Sequence, residues 1–164
     1  MRPAVIAAAA FLAAPAAADP FEDFGTTMKY GLPLAAAVCA ADQGRFEDFA
    51  IRGAAQAVIV LGLKAVFDGS ELGTRPSGLG RGFPSGHSAA AGFGAADLAG
   101  KCFDDPGLGA VAYGAAGLTA ASRVHAGEHT PAQVLAGSLI GISFGAASFG
   151  FGGEGASFDF GLRF

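Results

Sequence analysis

Residues 84–100 read PSGHSAAAGFGAADLAG, and this run decides the fold. A Pro-Ser-Gly turn signal hands over to a long series of small apolar side chains that shows no polar–apolar alternation, so the run predicts a helix over 86–100 rather than a strand. The same grammar, an apolar run closed off by Gly, Pro and Asp, predicts helices at about 31–41, 47–67, 107–122 and 131–148. Asp68-Gly69-Ser70 and Asp104-Asp105-Pro106-Gly107 are the clearest breaks. The expected fold is therefore all-α, a compact bundle of about five to six helices. Hydrophobic residues make up 52% of the chain and the mean hydropathy is +0.46. Such values go with closely packed helices, membrane contact, or both.

The two ends read differently from the middle. Residues 1–18 open with Met1-Arg2, continue as an Ala-rich apolar run and end in Ala16-Ala17-Ala18 before Asp19. They are expected to be a cleaved secretory signal peptide, because the run is short of the roughly 20 residues needed to span a bilayer. Residues 19–153 would form the exported helical domain, placed in the periplasm or at the periplasmic face of the inner membrane. In the tail, 154–164, Phe158, Phe160, Leu162 and Phe164 alternate with Ser157, Asp159, Gly161 and Arg163. That period of two predicts a short C-terminal strand, its aromatic face packed on the bundle. Outer-membrane residence is a minor reading, because one strand makes no barrel.

Ten Lys and Arg stand against fourteen Asp and Glu, with no run of like charge long enough for a nucleic-acid arm, so nucleic acid is not an expected partner. Lys64, Arg75, Arg81 and Arg123 nevertheless fall in or beside the segments that carry the histidines, where they can draw in an anion. Cys39 and Cys102 either pair after export or stay as two buried thiols. Neither cysteine has a metal-ligand spacing, and with three histidines and no Cys-x-x-Cys a zinc site has little support. Thr130–Gly153 is free of formal charge but diluted by Gly and Ser, a weak signal for a membrane span. A bundle that touches or partly enters the inner membrane fits better than a set of spans.

The chemistry gathers in three segments. Pro84-Ser85-Gly86-His87 would present the backbone amides of Ser85, Gly86 and His87 at a helix start, an anion-binding arrangement. Ser85 adds a hydroxyl, and Gly86 allows close backbone approach. Ser122-Arg123 closes one helix and His129 precedes the next, so the loop between them can aim Arg123 and His129 at one point. Arginine's planar fork suits phosphate oxygens. His129 is then a candidate nucleophile and His87 a candidate general acid. His125 is expected to be packing or surface.

These residues resemble the type-2 phosphatidic acid phosphatase and vanadium haloperoxidase superfamily. Its signature is a Lys, a spacer and Arg-Pro, then Pro-Ser-Gly-His, then Ser-Arg, five residues and His, then three residues and Asp. The resemblance implies a helical bundle and metal-free phosphoryl transfer without a cofactor. It further implies Lys64, Arg75, Ser85, Gly86 and Arg123 as phosphate ligands, His87 as general acid and His129 as nucleophile. Two departures stand out. Ten residues, 65–74, separate Lys64 from Arg75, more than the family usually has, which suggests a loop insertion around Asp68-Gly69-Ser70-Glu71 and leaves Arg81 as the next cation. Gln133 occupies the place of the orienting aspartate and lacks its negative charge. Thr130-Pro131-Ala132-Gln133 also reads as a helix-starting capping box, so Gln133 has two compatible roles if its side chain switches or a water bridges.

The expected function is hydrolysis of a phosphomonoester or diphosphate, with a lipid phosphate ahead of a small soluble phosphoester. The alternative is a degenerate, non-catalytic protein of the envelope that binds phosphate or lipid headgroups. Vanadium-dependent halide oxidation ranks last, because the chain is short.

Overall fold

The computed structural model describes residues 19–152 and 155–161. The expected signal peptide, residues 1–18, lies outside them, as do residues 162–164 at the end of the tail. Among the described residues the order is α1 (Pro20–Asp42), α2 (Phe46–Val66), α3 (Gly86–Asp97), a π-helical turn (Leu98–Cys102), α4 (Pro106–His125), α5 (Pro131–Ala146), β1 (Ala147–Gly152) and β2 (Gly155–Phe160). The architecture is an all-α bundle with a terminal hairpin.

Helix α1 begins a full eleven residues earlier than the apolar pattern predicts. Its start is written in capping chemistry: Asp19 accepts the Phe21 N–H at 2.8 Å, Pro20 fills the first position, and Glu22 and Asp23 occupy the positive first turn. The tail strand also has a partner. Helix α5 stops at Ala146, two residues short of expectation, and β1 pairs antiparallel with β2, Ala147 opposite Phe160 and Gly152 opposite Gly155.

Glycine spacing sets the packing. Gly137, Gly141 and Gly145 form one stripe on α5, and a Cβ on them would stand 2.3 Å from Ser85 O, 2.1 Å from Ala89 O and 2.4 Å from Phe93 O. Helix α5 therefore lies directly on the backbone of α3. From the opposite side α1 closes in, where a Cβ on Gly94 would meet the Leu32 carbonyl carbon at 2.4 Å. Helix α3 is thus the central rod, and Ala91, Phe93, Ala95 and Leu98 pack with Leu32, Ala36, Phe49 and Ala112 as the core.

The helices run up and down, so the molecule has two ends. Gln43 Nε2 donates to Lys101 O at 2.9 Å, which places the end of α1 beside the π-helical turn. There Asp97, fully buried, takes Arg52 Nη2 at 2.7 Å and Arg45 Nη1 at 2.9 Å. Arg52 donates as well to Phe144 O and Gly145 O, both at 3.1 Å. Cys39 and Cys102 form a disulfide here, resolving the open choice in favour of pairing, and Arg45 Nη2 lies 2.9 Å from Cys102 Sγ. Arg52 ties α2 to α3 and α5 at this base, and the histidines stand at the other end, His87 in the first turn of α3, His125 at the end of α4 and His129 in the loop before α5.

Candidate active site

At the upper end Ser85 caps α3. Its Oγ accepts the Ser88 N–H at 3.4 Å and the Ser88 hydroxyl at 3.1 Å. The Ser85 N–H does not face outward as expected, because it donates to Gln133 O at 2.9 Å. That bond ties the starts of α3 and α5 together and leaves the amides of Gly86 and His87 as the outward pair. Beside them, Lys64 reaches in from the last turn of α2. Its Cε lies 3.9 Å from where a Gly86 Cβ would stand, and its Nζ donates to Arg81 O at 2.8 Å. Arg81 itself is exposed, with a left-handed φ of 58°.

Helix α4 runs through Arg123 to His125 rather than ending at Ser122. The chain then reverses at Gly127, φ 67°, and the N–H groups of Glu128 and His129 both return to Arg123 O at 3.1 Å. This fold-back holds the His129 ring, 4% exposed, next to the buried Arg123. The inserted segment after α2 forms turns over residues 67–73 and closes with Gly82 N–H on Gly73 O at 2.7 Å, swinging Arg75 inward. His125 lies at the rim, where Nε2 is 2.8 Å from Asp19 Oδ2.

Gln133 joins these pieces and needs no switching. Its Nε2 donates to Leu72 O and Thr74 O, both at 2.9 Å, while its Oε1 accepts from Thr130 N–H and His129 Nδ1, both at 3.1 Å. Two carbonyls fix which end of the amide is nitrogen, so oxygen must face the imidazole. His129 Nδ1 therefore carries the proton, and Nε2 keeps its lone pair. A Cβ on Gly82 would collide with this amide at 2.7 Å, a requirement invisible in the motif.

Arg75 and Arg123 each hold a carboxylate and a spare donor. Arg75 Nη1 meets Glu128 Oε2 at 2.7 Å, and Arg123 reaches Glu22 Oε1 through longer contacts of 3.3 and 3.4 Å. The Nε of both arginines is buried without an acceptor among the described residues. Such orphaned cationic donors are costly unless an anion meets them.

The histidines feel this shared field. Burial, then the charges of Arg75, Lys64 and Arg123, push His129 down to about 4 against the raising effect of its Gln133 bond. Burial, then Lys29, Arg123, His129 and Arg75, push His87 down to about 3. Lys64 falls to about 8 through burial and the neighbouring Arg75 and Arg81 charges. The same guanidinium groups act on both rings, so the three motif segments lie within electrostatic reach of one another. Among the described residues, no group of three or more His, Cys, Asp or Glu is placed to hold a metal. Glu22 and Lys29 escaped sequence reasoning because the first half of α1 was not read as helix.

The family model for the PAP2 superfamily matches residues 62–154, more than half of the chain. The chain belongs to the PAP2 superfamily. The matched stretch contains every motif residue from Lys64 to Gln133, and α1 lies outside it. No curated protein and no solved structure matches the chain. PAP2 superfamily members are generally phosphatases acting on phosphorylated substrates, which suits the buried Nε donors of Arg75 and Arg123.

Proposed function

We propose that this chain is an exported, metal-independent phosphatase that works through a phosphohistidine, with a lipid phosphate or diphosphate as substrate. The observation that carries this reading is the pair of buried, acceptor-free Nε groups of Arg75 and Arg123 beside a histidine whose tautomer leaves Nε2 bare. Lys64, Arg75, Arg123, the Ser85 hydroxyl and the Gly86 amide would hold the phosphoryl oxygens. The His129 Nε2 lone pair attacks phosphorus, forming P–N as the P–O bond to the leaving group breaks, and that oxygen takes a proton from His87. Water then attacks phosphorus and yields its proton to His87 while P–N breaks, releasing inorganic phosphate. His87 is neutral in the free protein; a phosphoryl dianion at the site offsets the surrounding cations and restores its proton affinity.

The lipid reading rests on a groove of about 460 Å³ between α1, α2 and α3. Its lining is almost wholly apolar, from Phe49 and Val60 to Phe93, and it shares Lys64 and Gly86 with the phosphate end. An alkyl chain fits there with its phosphate on the cations. Phe46–Val66 is long and apolar enough to cross a membrane, and only 22% of its most apolar 18-residue window is buried. Val58, Ile59, Leu61 and Val66 face outward, a flank suited to contact with the inner membrane.

Phosphate release from phosphatidic acid, an isoprenyl diphosphate and a chromogenic monoester tests the proposal, run with wild type and His129→Ala. Wild-type activity that persists in chelator, is inhibited by vanadate and is lost in the variant is the expected result. No release from any of the three, or an unaffected variant, overturns it. A second reading, phosphate or headgroup binding without turnover, draws on the uncharged Gln133 in the aspartate position and on the carboxylates already seated on both arginines. Saturable binding of inorganic phosphate with no turnover would establish it.

A further inference from the structure

Helix α1 lies outside the matched family stretch, and its single cation, Lys29, stands on the face that packs against the elements of the site. The inward face of α1 is marked by Gly25, Leu32, Ala36 and Ala40, all buried. Gly25 sits against Ser122, the neighbour of Arg123, where an added Cβ would stand 1.9 Å from the Ser122 hydroxyl. Two turns on, Leu32 and Pro33 lie on Gly94, and Pro33 lines the groove that Gly86, Ala89 and Ala90 share. Lys29 is four residues from Gly25 and four from Pro33, so it belongs to the same face, between the arginine end and the groove. It is half-buried, and among the described residues it makes no ion pair; its Nζ rests over the Tyr30 ring at 4.5 Å. Of the charges acting on the His87 ring, that of Lys29 is the largest, ahead of Arg123. Between the arginine end, where the phosphoryl group would be held, and the groove, where the alkyl chain would lie, this position is that of the leaving group.

Resting on the phosphatase reading above, we infer that Lys29 is a specificity residue that selects substrates with an anionic leaving group, a diphosphate ester over the monophosphate of the same alcohol. In a diphosphate the terminal phosphoryl group passes to His129 Nε2 as the bridging P–O bond breaks, and its electron pair stays on a phosphate monoester. Water later splits P–N, so one diphosphate and one water give one monophosphate ester and one inorganic phosphate. An ammonium beside the bridging oxygen stabilises the charge that develops there, whereas a departing alcohol carries none once protonated. A phosphate leaving group is also far less basic than an alkoxide, which suits a His87 that holds its proton weakly.

The test compares an isoprenyl diphosphate with the corresponding monophosphate on wild type, Lys29→Met and Lys29→Arg. Wild type should prefer the diphosphate, Lys29→Met should lose about tenfold or more in kcat/KM on it and less than about threefold on the monophosphate, and Lys29→Arg should keep the preference. Equal losses on both substrates, no loss on either, or a wild type that prefers the monophosphate overturns the inference. If wild type hydrolyses neither, the phosphatase reading falls by itself and the lysine is read from binding. A non-hydrolysable bisphosphonate should then bind Lys29→Met about tenfold more weakly than wild type, with a monophosphonate little affected. Equal bisphosphonate binding overturns it there too.

Discussion

At Gln133 one amide answers to a backbone and to a ring at once. The carbonyls of Leu72 and Thr74 demand a donor, and the imidazole of His129 demands an acceptor. An aspartate or glutamate could serve only the second demand. The segment between Lys64 and Arg75 turns two carbonyls inward, and only an amide satisfies them together with the ring. Restoring a negative charge should lower activity, not raise it. Gln133→Glu leaves two buried carbonyls facing a carboxylate, at about 1–3 kcal/mol for each lost partner. A fall in kcat/KM of about tenfold or more, with faster proteolysis of residues 67–82, is the expected result. The pH profile of kcat/KM follows from the free-protein groups. His129, held at about 4, stays a neutral nucleophile well into acid, and Lys64, held at about 8, loses its charge on the alkaline side. The profile of Lys64→Arg should part from that of wild type on the alkaline side, where the lysine discharges and an arginine does not, read from initial rates between pH 3 and pH 10 as an approximate range.

Among the elements, α3 and α5 are in closest contact and the site depends on that contact. The Gly137, Gly141 and Gly145 stripe lets Gln133 O receive the Ser85 N–H, which puts His129 beside the start of α3. Gly141→Ala would set a methyl 2.1 Å from Ala89 O, so α5 must shift. A loss of about 1–3 kcal/mol in urea unfolding, accompanied by lower kcat, is expected. Gly114, exposed on α4 with nothing near its absent Cβ, is the control. Gly114→Ala should hold or raise stability by up to about 1 kcal/mol. The Cys39–Cys102 bridge closes a separation of 63 residues at the base. Removing it as Cys39→Ala with Cys102→Ala should cost about 2–4 kcal/mol while leaving KM unchanged, since the bridge is at the far end from the histidines.

Across the whole molecule, charge is sorted to two ends and apolar side chains to the flanks. The base gathers Arg45 and Arg52 on the buried Asp97, whereas the upper end sets Lys64, Arg75 and Arg123 around two histidines. This asymmetry makes stability pH-dependent in a predictable sense. His87 and His129 titrate lower in the fold than the ordinary 6.5, so between that value and about 3 to 4 the unfolded chain binds more protons. Stability should therefore fall as pH drops through this window. A bound phosphate or vanadate raises both histidines and should flatten the dependence, a comparison made by urea midpoints at pH 7 and pH 5 as approximate settings, with and without the anion.

Local chemistry alone determined the helical class, the approximate positions of α2 to α5, and the motif residues that meet at the upper end. Apolar runs, caps and breakers act over a few residues, and the spacing of Pro84–His87 and Ser122–His129 places each group at a helix end. Tertiary structure decided the pairing of the cysteines, the hairpin partner of the tail strand, the length of α1, and the approach of Lys29 and Glu22 to the site. It also settled the direction of the Gln133 amide, because its two carbonyl partners lie some sixty residues away in sequence. Contacts of that range depend on how glycine faces let helices close on one another, and no local pattern encodes that distance.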